Sequence, residues 1–373
     1  MEAKSQKIMV IGGTGNISRY VVQLFAQKDI DLTVVNRGNR GCFELDGVEY
    51  IYSDANSTEK FKTDIEGKVW DIIIDFTVYT IEHIRKRMKT CIPRCRHYVF
   101  ISSIATYEHI GIEEYDENCQ TGNSKWDYGY DKSKVEDEIR EYAKQHEDFT
   151  YTFIRPGLIY SELWIPDTIH DSICNPGYSI HRILNHQKMI VYSEKDWHYT
   201  FMHAEDFAHN LYYLLLMPEA KNNTYNMVGE EKIYPVDVLK YLGNILNKDI
   251  DVVEISYEWA VQNNYIGIPV QHQHGNYSNK KIKSVLKEKF HSTNHLECAI
   301  EKYVDLFENH QELMWWDSNL KKELDQLIKC AKDSKIFNEW KLKTADLNKP
   351  ERINTNLYIG MCRKIACAKK FCV

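Results

Sequence analysis

No stretch of this sequence approaches the roughly 18–20 consecutive apolar residues that a membrane span needs, so no membrane partner is expected. No CxxC pair occurs among the ten cysteines. Cys91 and Cys95 flank Pro93, and Cys362, Cys367 and Cys372 recur at steps that do not align ligands on one face of a helix of about 3.6 residues per turn. No metal is therefore expected, and the thiols read as reduced, in a reducing compartment. An excess of positive charge is also missing. The formal net charge is -7, which argues against a nucleic-acid partner. Internal repeats and low-complexity tracts are absent. The polar segment Met1–Lys7 runs into an apolar stretch too short for a signal peptide and without a cleavage site, so a cytoplasmic location is expected.

What is present has the balance of an ordinary globular protein, with 43% hydrophobic and 27% charged residues. A chain of 373 residues has room for a large domain and a smaller one. Up to about Arg155 short Val- and Ile-rich runs alternate with helical stretches. The runs are Ile8–Ile11, Leu32–Val35, Val48–Tyr52, Asp71–Phe76, His97–Ile101 and Tyr151–Arg155. Apolar runs of this length suit strands buried on both faces of a parallel sheet. Ile17, Tyr20, Val21, Leu24 and Phe25 have helical spacing between the first two. The alternation predicts an α/β fold with a doubly wound parallel sheet. Beyond Pro156 the pattern loosens. Helices are expected over Ala204–Met217, Pro235–Leu246, Thr293–Phe307 and Leu320–Ala331, and a strand over Thr224–Val228. The predicted division is a domain over 1–157, its sheet completed by parts of 195–230, then a smaller C-terminal substrate-binding region over 158–335. A basic, cysteine-containing tail over 336–373 lacks a core pattern and reads as an accessory to the fold.

Gly12-Gly13-Thr14-Gly15-Asn16-Ile17-Ser18 follows the first strand and opens the first helix. A tight strand-to-helix turn, a backbone that must approach a pyrophosphate closely, and a helix N-terminus that offers N–H groups all call for this composition. The second strand ends in Asn36-Arg37, with Arg40 nearby, and no acid stands there. An acid would accept from the adenosine ribose and repel a 2′-phosphate, whereas arginine accommodates that phosphate. NADP is therefore favoured over NAD. Further on, Ser102-Ser103-Ile104-Ala105-Thr106-Tyr107 follows the fifth strand, and about thirty residues later comes Tyr130-Asp131-Lys132-Ser133-Lys134. Oxidising a secondary alcohol needs a base. A free tyrosine, with a pKa near 10, becomes one when a lysine ammonium one helical turn away favours its phenolate. A serine hydroxyl can stabilise the charge that develops on the substrate oxygen. Within this segment the YxxxK spacing occurs twice, as Tyr128 with Lys132 and as Tyr130 with Lys134.

These segments, with Arg155-Pro156-Gly157-Leu158-Ile159-Tyr160 and Phe201-Met202-His203-Ala204-Glu205-Asp206, resemble the extended short-chain dehydrogenase/reductase superfamily, in its NAD-dependent epimerase/dehydratase-like branch. The resemblance covers roughly Ile8 to Lys335, and Ser18 stands where a third glycine is usual. It implies a Rossmann-type fold and a Ser-Tyr-Lys group. The family pattern YxxSK selects Tyr130 and Lys134, and alignment of the aromatic ends of the serine segment selects Ser103. Cofactor contacts are implied for Gly12, Thr14, Gly15, Asn16, Ile17, Asn36, Arg37, Asp54, Phe76, Pro156 and Gly157, and substrate contacts for Thr106, Tyr107, Tyr199 and His203. In the family His203 and Asp206 are usually structural, and the aspartate can cap its helix.

Dehydratases of the family carry an Asp-Glu pair after the serine segment, and Ile104-Ala105-Thr106 has none. Oxidoreductase and epimerase chemistry on a secondary alcohol or ketone remain, with a small molecule as partner and a homodimer compatible with the chain. A non-catalytic NAD(P)-binding sensor or RNA-associated protein on the same fold is the alternative, although such proteins tend to lose the tyrosine or lysine. Relatives that act on nucleotide-sugars clamp the diphosphate with an asparagine and an arginine. Here Leu158 and Tyr199 occupy those places, and Lys188 and Lys195 would need rearranged loops. The stretch instead holds Trp164, His170, His181, His186, Tyr192, Trp197 and His198. A sugar-like or nucleoside-like substrate without a nucleoside diphosphate handle is expected.

Overall fold

The computed structural model describes residues 5–38, 44–110, 113–166, 177–193, 198–256, 259, 262, 275–309, 318–334 and 337–343. The chain forms two compact units. The first comprises Met1–Ile159, Thr200–Glu231 and Asn276–Asn294, and the second Tyr160–Tyr199, Lys232–Gly275 and His295–Val373.

The first unit is built on a seven-stranded sheet. Its first six strands are β1 (Gln6–Ile11), β2 (Ile30–Asn36), β3 (Glu49–Tyr52), β4 (Trp70–Asp75), β5 (Cys95–Ile101) and β6 (Thr150–Pro156), interleaved with α1 (Ser18–Phe25), α2 (Thr58–Asp64), α3 (Ile81–Lys89) and α4 (Asp127–Gln145). The spatial order is β3-β2-β1-β4-β5-β6 followed by the strand Asn223–Met227, every neighbour parallel. The runs read from the sequence are apolar throughout because both faces are covered. Ile8, Val10, Leu32, Val34, Ile72, Ile74, Val99 and Ile101 point to one face, where the helices Ala204–Leu215 and Lys280–Leu286 contribute Phe207, Leu211, Ile282 and Leu286. The alternate residues Met9, Ile11, Val35, Ile73, Tyr98 and Phe100 point to the other, against Phe61 of α2, Ile84 of α3 and Val135 and Ile139 of α4. The strand order reverses between β1 and β4, and such a reversal opens a crevice beyond the carboxyl ends of the strands. Two backbone bonds fix its floor, from Gly12 N–H to the Val35 carbonyl at 2.8 Å and from Phe76 N–H to the Ile11 carbonyl at 3.0 Å.

In the second unit, Ile250–Ile255 pairs in parallel with Met189–Tyr192 and antiparallel with Asn338–Leu342. Helices Gly177–Leu184, Pro235–Leu246, Leu296–Asn309 and Ser318–Asp333 belong to the same unit. Arg182 is buried and bonded to the Tyr178 hydroxyl, the Lys188 carbonyl and Asp325. Of the aromatic and histidine cluster expected to form a substrate pocket, Trp164 is half-buried and His181 stacks on Tyr178. His170, Trp197 and Lys195 lie outside the described residues. Among the described residues no helix is long and apolar enough to cross a membrane.

The expected start of an accessory tail at 336 is corrected here. Asn338–Leu342 is a strand of the second sheet, in register from Ile250↔Leu342 to Glu254↔Asn338. Residues 344–373, with their three cysteines, lie outside the described residues. Removing this strand would bare one edge of Ile250–Ile255, whose Val252 and Val253 are fully buried. A chain ending at Lys335 should therefore melt at least about 4 °C below one ending at Lys343. Equal melting temperatures in thermal unfolding would show that the strand adds nothing to stability.

Candidate cofactor cleft and catalytic group

A cleft of about 460 Å³ lies at the crevice, within the ~300–1,000 Å³ range of small-molecule sites. Gly12, Thr14, Gly15, Asn16, Ile17, Asn36, Arg37, Asp54 and Phe76 all line it, whereas Pro156 and Gly157 do not. Gly12 has φ +92°, and a Cβ there would run into the Thr77 methyl group. At Gly13 a Cβ would lie 2.6 Å from Val34 Cγ1. Backbone alone thus fits the turn, as close approach to a dinucleotide pyrophosphate requires. Ser18, in place of a third glycine, is almost fully buried. Its hydroxyl donates to the Gly12 carbonyl at 2.5 Å and accepts from Gly15 N–H at 2.9 Å, which ties the two ends of the loop together. Asp54 caps its own turn by accepting from Asn56 N–H at 2.9 Å.

Sequence reasoning missed several lining residues, among them Asn56, Tyr79, His83 and Arg87. Arg87 is wholly buried on α3. It donates from Nε to Asp75 Oδ2 at 2.7 Å, from Nη2 to Thr77 Oγ1 at 3.0 Å, and from Nη1 to the Ala55 carbonyl and to Asn56 Oδ1. Asp75 also accepts from Thr77 N–H and from the Thr77 and Tyr98 hydroxyls. Burial pushes the Asp75 carboxyl up, but the adjacent guanidinium and the Thr77 hydrogen bonds together hold the group below the ordinary carboxylate range. The sequence did carry a signal for this pair. An acid, Asp75, follows the apolar run Ile72–Ile74, and a cation lies three residues from Ile84 on the inward stripe of α3.

The two overlapping tyrosine–lysine pairs on α4 are placed differently. Tyr130 is 47% exposed, and Lys134 reaches back along the outer face to Asp137 at 3.3 Å. Lys132 is 2% exposed, and its Nζ donates to the carbonyls of Val78 at 2.7 Å and Ile101 at 2.8 Å. Val78 follows the end of β4, and Ile101 is the last residue of β5. Around the same ammonium lie the rings of Phe100 at 4.7 Å, Tyr79 at 4.8 Å and Tyr128 at 5.8 Å, and Tyr79 lines the cleft. The inward-facing pair is therefore Tyr128 and Lys132, not the expected Tyr130 and Lys134. Burial pushes Lys132 down to about 7, against the raising influence of Asp75 and Glu136. Gly129 brings α4 onto the serine turn, for a Cβ there would collide with the Ala105 carbonyl.

Ser103 is 6% exposed and heads a short turn, its Oγ accepting from Ala105 N–H at 3.1 Å. Its hydroxyl hydrogen is engaged by no described residue. The neighbouring Ser102 donates to Glu136 Oε1 at 2.7 Å. Glu136 also accepts from Arg155 Nε at 2.9 Å, Arg155 Nη2 at 2.6 Å and Arg140 Nη2 at 2.9 Å. The residues expected to meet substrate are placed as follows. Thr106 and Tyr107 are fully buried. Thr106 donates to the Ser103 carbonyl, and the Tyr107 hydroxyl donates to Asn226 Oδ1 at 2.7 Å, so both brace the turn from behind. His203 is buried and caps its helix by accepting from Glu205 N–H at 3.2 Å. Asp206 does not cap that helix. It accepts from the backbone N–H groups of Thr293 and Asn294, both at 3.1 Å. The Tyr199 side chain lies outside the described residues. Among the described residues no group of three His, Cys, Asp or Glu side chains could hold a metal ion.

Lys132 gives this site a pH signature. An unfolded lysine titrates near 10.5 and the buried one near 7, so between those values the unfolded chain binds more protons and stability rises with pH. Relative to Lys132→Met, the wild-type chain should gain stability as pH is raised from 7 toward 10, at a rate approaching 1.4 kcal/mol per pH unit, roughly the limit for one proton. Urea midpoints measure this, and a pH-independent difference would show that the amine is not desolvated.

The sequence profile of the NAD dependent epimerase/dehydratase family matches residues 8–228. No match was found among curated protein sequences. Several solved structures are similar. An epimerase from Methanothermobacter thermautotrophicus superposes with a TM-score of 0.66 at 13% identity, over 83% of this chain and 94% of that one. UDP-glucose 4-epimerase from Thermotoga maritima, solved with UDP-glucose, gives 0.63 at 15% identity, over 82% and 99%. A short-chain dehydrogenase/reductase superfamily protein from Agrobacterium tumefaciens with bound NAD gives 0.62 at 15%, over 82% and 99%. At such identities these three speak to the fold. The profile match is broader evidence of kinship, since it spans more than half the chain, from β1 through the last strand of the large sheet. This chain belongs to the NAD dependent epimerase/dehydratase family.

Proposed function

We propose that the protein is an NAD(P)-dependent oxidoreductase or epimerase that acts on a secondary alcohol or ketone, with Tyr128 as its proton-transfer group. The observation that carries this reading is the placement of Lys132, buried one helical turn from Tyr128 and in contact with Tyr79 of the cleft wall. In its protonated form Lys132 favours the Tyr128 phenolate, which accepts the proton of the substrate hydroxyl during oxidation and returns it during reduction. Ser103 has its oxygen held by Ala105 N–H and its hydrogen free of described partners, which suits donation to the substrate oxygen. A bound nicotinamide supplies the acceptor or donor of hydride. The glycine turn, Asn16, Ile17 and Asp54 are the residues that would hold the dinucleotide.

Replacing Tyr128 with Phe should lower turnover by roughly two to four orders of magnitude with cofactor binding retained, and Tyr130→Phe should stay within a few-fold of wild type. The opposite pattern would return the role to Tyr130 and Lys134.

The cofactor preference follows from the end of β2. Arg37 lines the cleft beside Asn36 and Gly38, and the segment Val34–Gly38 contains no acid. NADPH is proposed to bind more tightly than NADH, through the 2′-phosphate and Arg37. Fluorescence titration of both nucleotides decides it. Equal affinities, or a difference that Arg37→Ala leaves intact, would rule the preference out.

The substrate is proposed to be sugar-like or nucleoside-like. The Thermotoga maritima relative was solved with UDP-glucose. In this chain, though, the two diphosphate-clamping places hold Leu158 and Tyr199, neither able to supply a charge. A nucleoside diphosphate handle is therefore not part of the proposal, and a panel of UDP- and dTDP-sugars should bind weakly if at all.

A further inference from the structure

Arg87 stands apart from the residues through which a dinucleotide is ordinarily held. It belongs to α3, on the β4 side of the crevice, yet its guanidinium crosses to the turn that follows β3. A guanidinium has five N–H donors. Four are engaged, by Asp75, Thr77, the Ala55 carbonyl and Asn56. The second N–H of Nη2 meets no described residue, although the side chain is fully buried and forms part of the cleft wall. A buried donor left without a partner costs free energy that a ligand acceptor would recover.

We infer that Arg87 is a binding residue for the adenosine half of the cofactor, holding the wall of that half and offering it the fifth N–H. Three features select this half. The residues that Arg87 bridges, Ala55 and Asn56, follow β3, on the adenosine side of the crevice. Thr77, which it also grips, is the side chain that a Cβ on Gly12 would strike, so the same guanidinium backs the glycine turn. The pairing with Asp75 leaves the site close to neutral, so the spare donor suits a ring nitrogen or ribose oxygen better than a second phosphate charge. A lysine could neutralise Asp75, but it could not span Ala55, Asn56 and Thr77 together.

The inference rests on the family's use of a nicotinamide dinucleotide and not on the choice of catalytic tyrosine. It can be tested without the substrate. AMP and nicotinamide mononucleotide serve as probes for the two halves, titrated by calorimetry against wild type, Arg87→Gln and Arg87→Lys. Both variants should lose AMP affinity on the order of 10–100-fold and leave the mononucleotide unaffected. AMP affinity within twofold of wild type in either folded variant overturns the inference, as does an equal loss for both probes, which would mark a general structural defect. Should the variants fail to fold, the arginine side-chain resonances of the wild-type chain decide the matter. The Arg87 Nη signals should shift on adding AMP and stay fixed with the mononucleotide, and no shift with AMP overturns it. Wild type that binds neither probe would instead sink the cofactor assignment itself.

Discussion

The site depends on one buried carboxylate. Glu136 receives four hydrogen bonds, from Ser102 at the end of β5, from Arg155 at the end of β6, and from Arg140 on its own helix. It lies one turn beyond Lys132 on α4. A wholly desolvated charge is tolerated only when it is paired and its lone pairs are filled, and both conditions hold here. The register of α4 against the sheet is thereby set. The serine turn, the Arg155-Pro156-Gly157 corner and the tyrosine–lysine helix share a single anchor.

Asp75 and Arg87 repeat the arrangement on the cofactor side. In each case a buried carboxylate is paired with a buried arginine, one partner at a strand end and the other on a helix. Such pairs add little to net stability compared with apolar packing, but they fix direction, since a displaced partner leaves a charge uncompensated in the interior. The parallel sheet supplies the platform, and the two ion pairs orient what stands on its rim.

Much of this could be read from the sequence. The Val- and Ile-rich runs gave the strands because both faces of a parallel sheet are covered, and the glycine turn gave the cleft because its backbone demands are local. The helical phase of the catalytic pair was harder. Lys132, Val135, Glu136 and Ile139 have the spacing of a buried stripe, but two of the four are charged, so hydropathy hid the stripe and the serine before Lys134 drew attention to the outer pair. Gly129 was the available signal, a helix glycine beside Tyr128 that only a close backbone approach explains. The surroundings of Thr106, Tyr107 and His203 were hidden for a different reason. Their polar groups are spent on bracing and capping, and partners such as Asn226 are far away in the chain. The strand Asn338–Leu342 escaped notice because an edge strand needs little apolar content of its own.

The first unit is discontinuous in the chain, and this bears on its birth at the ribosome. The strand that covers β6 is Asn223–Met227, and the helix Lys280–Leu286 that helps close one face of the sheet comes later still. At ~5–20 residues per second, β6 emerges several seconds before its neighbour exists. Throughout that interval the nascent chain carries a half-finished sheet whose last strand, buried from Thr152 to Pro156 in the finished fold, has an unpaired side. A chaperone that shields open sheet edges, or a pause in translation before Asn223, would act on this stage of synthesis, long before any nucleotide could bind.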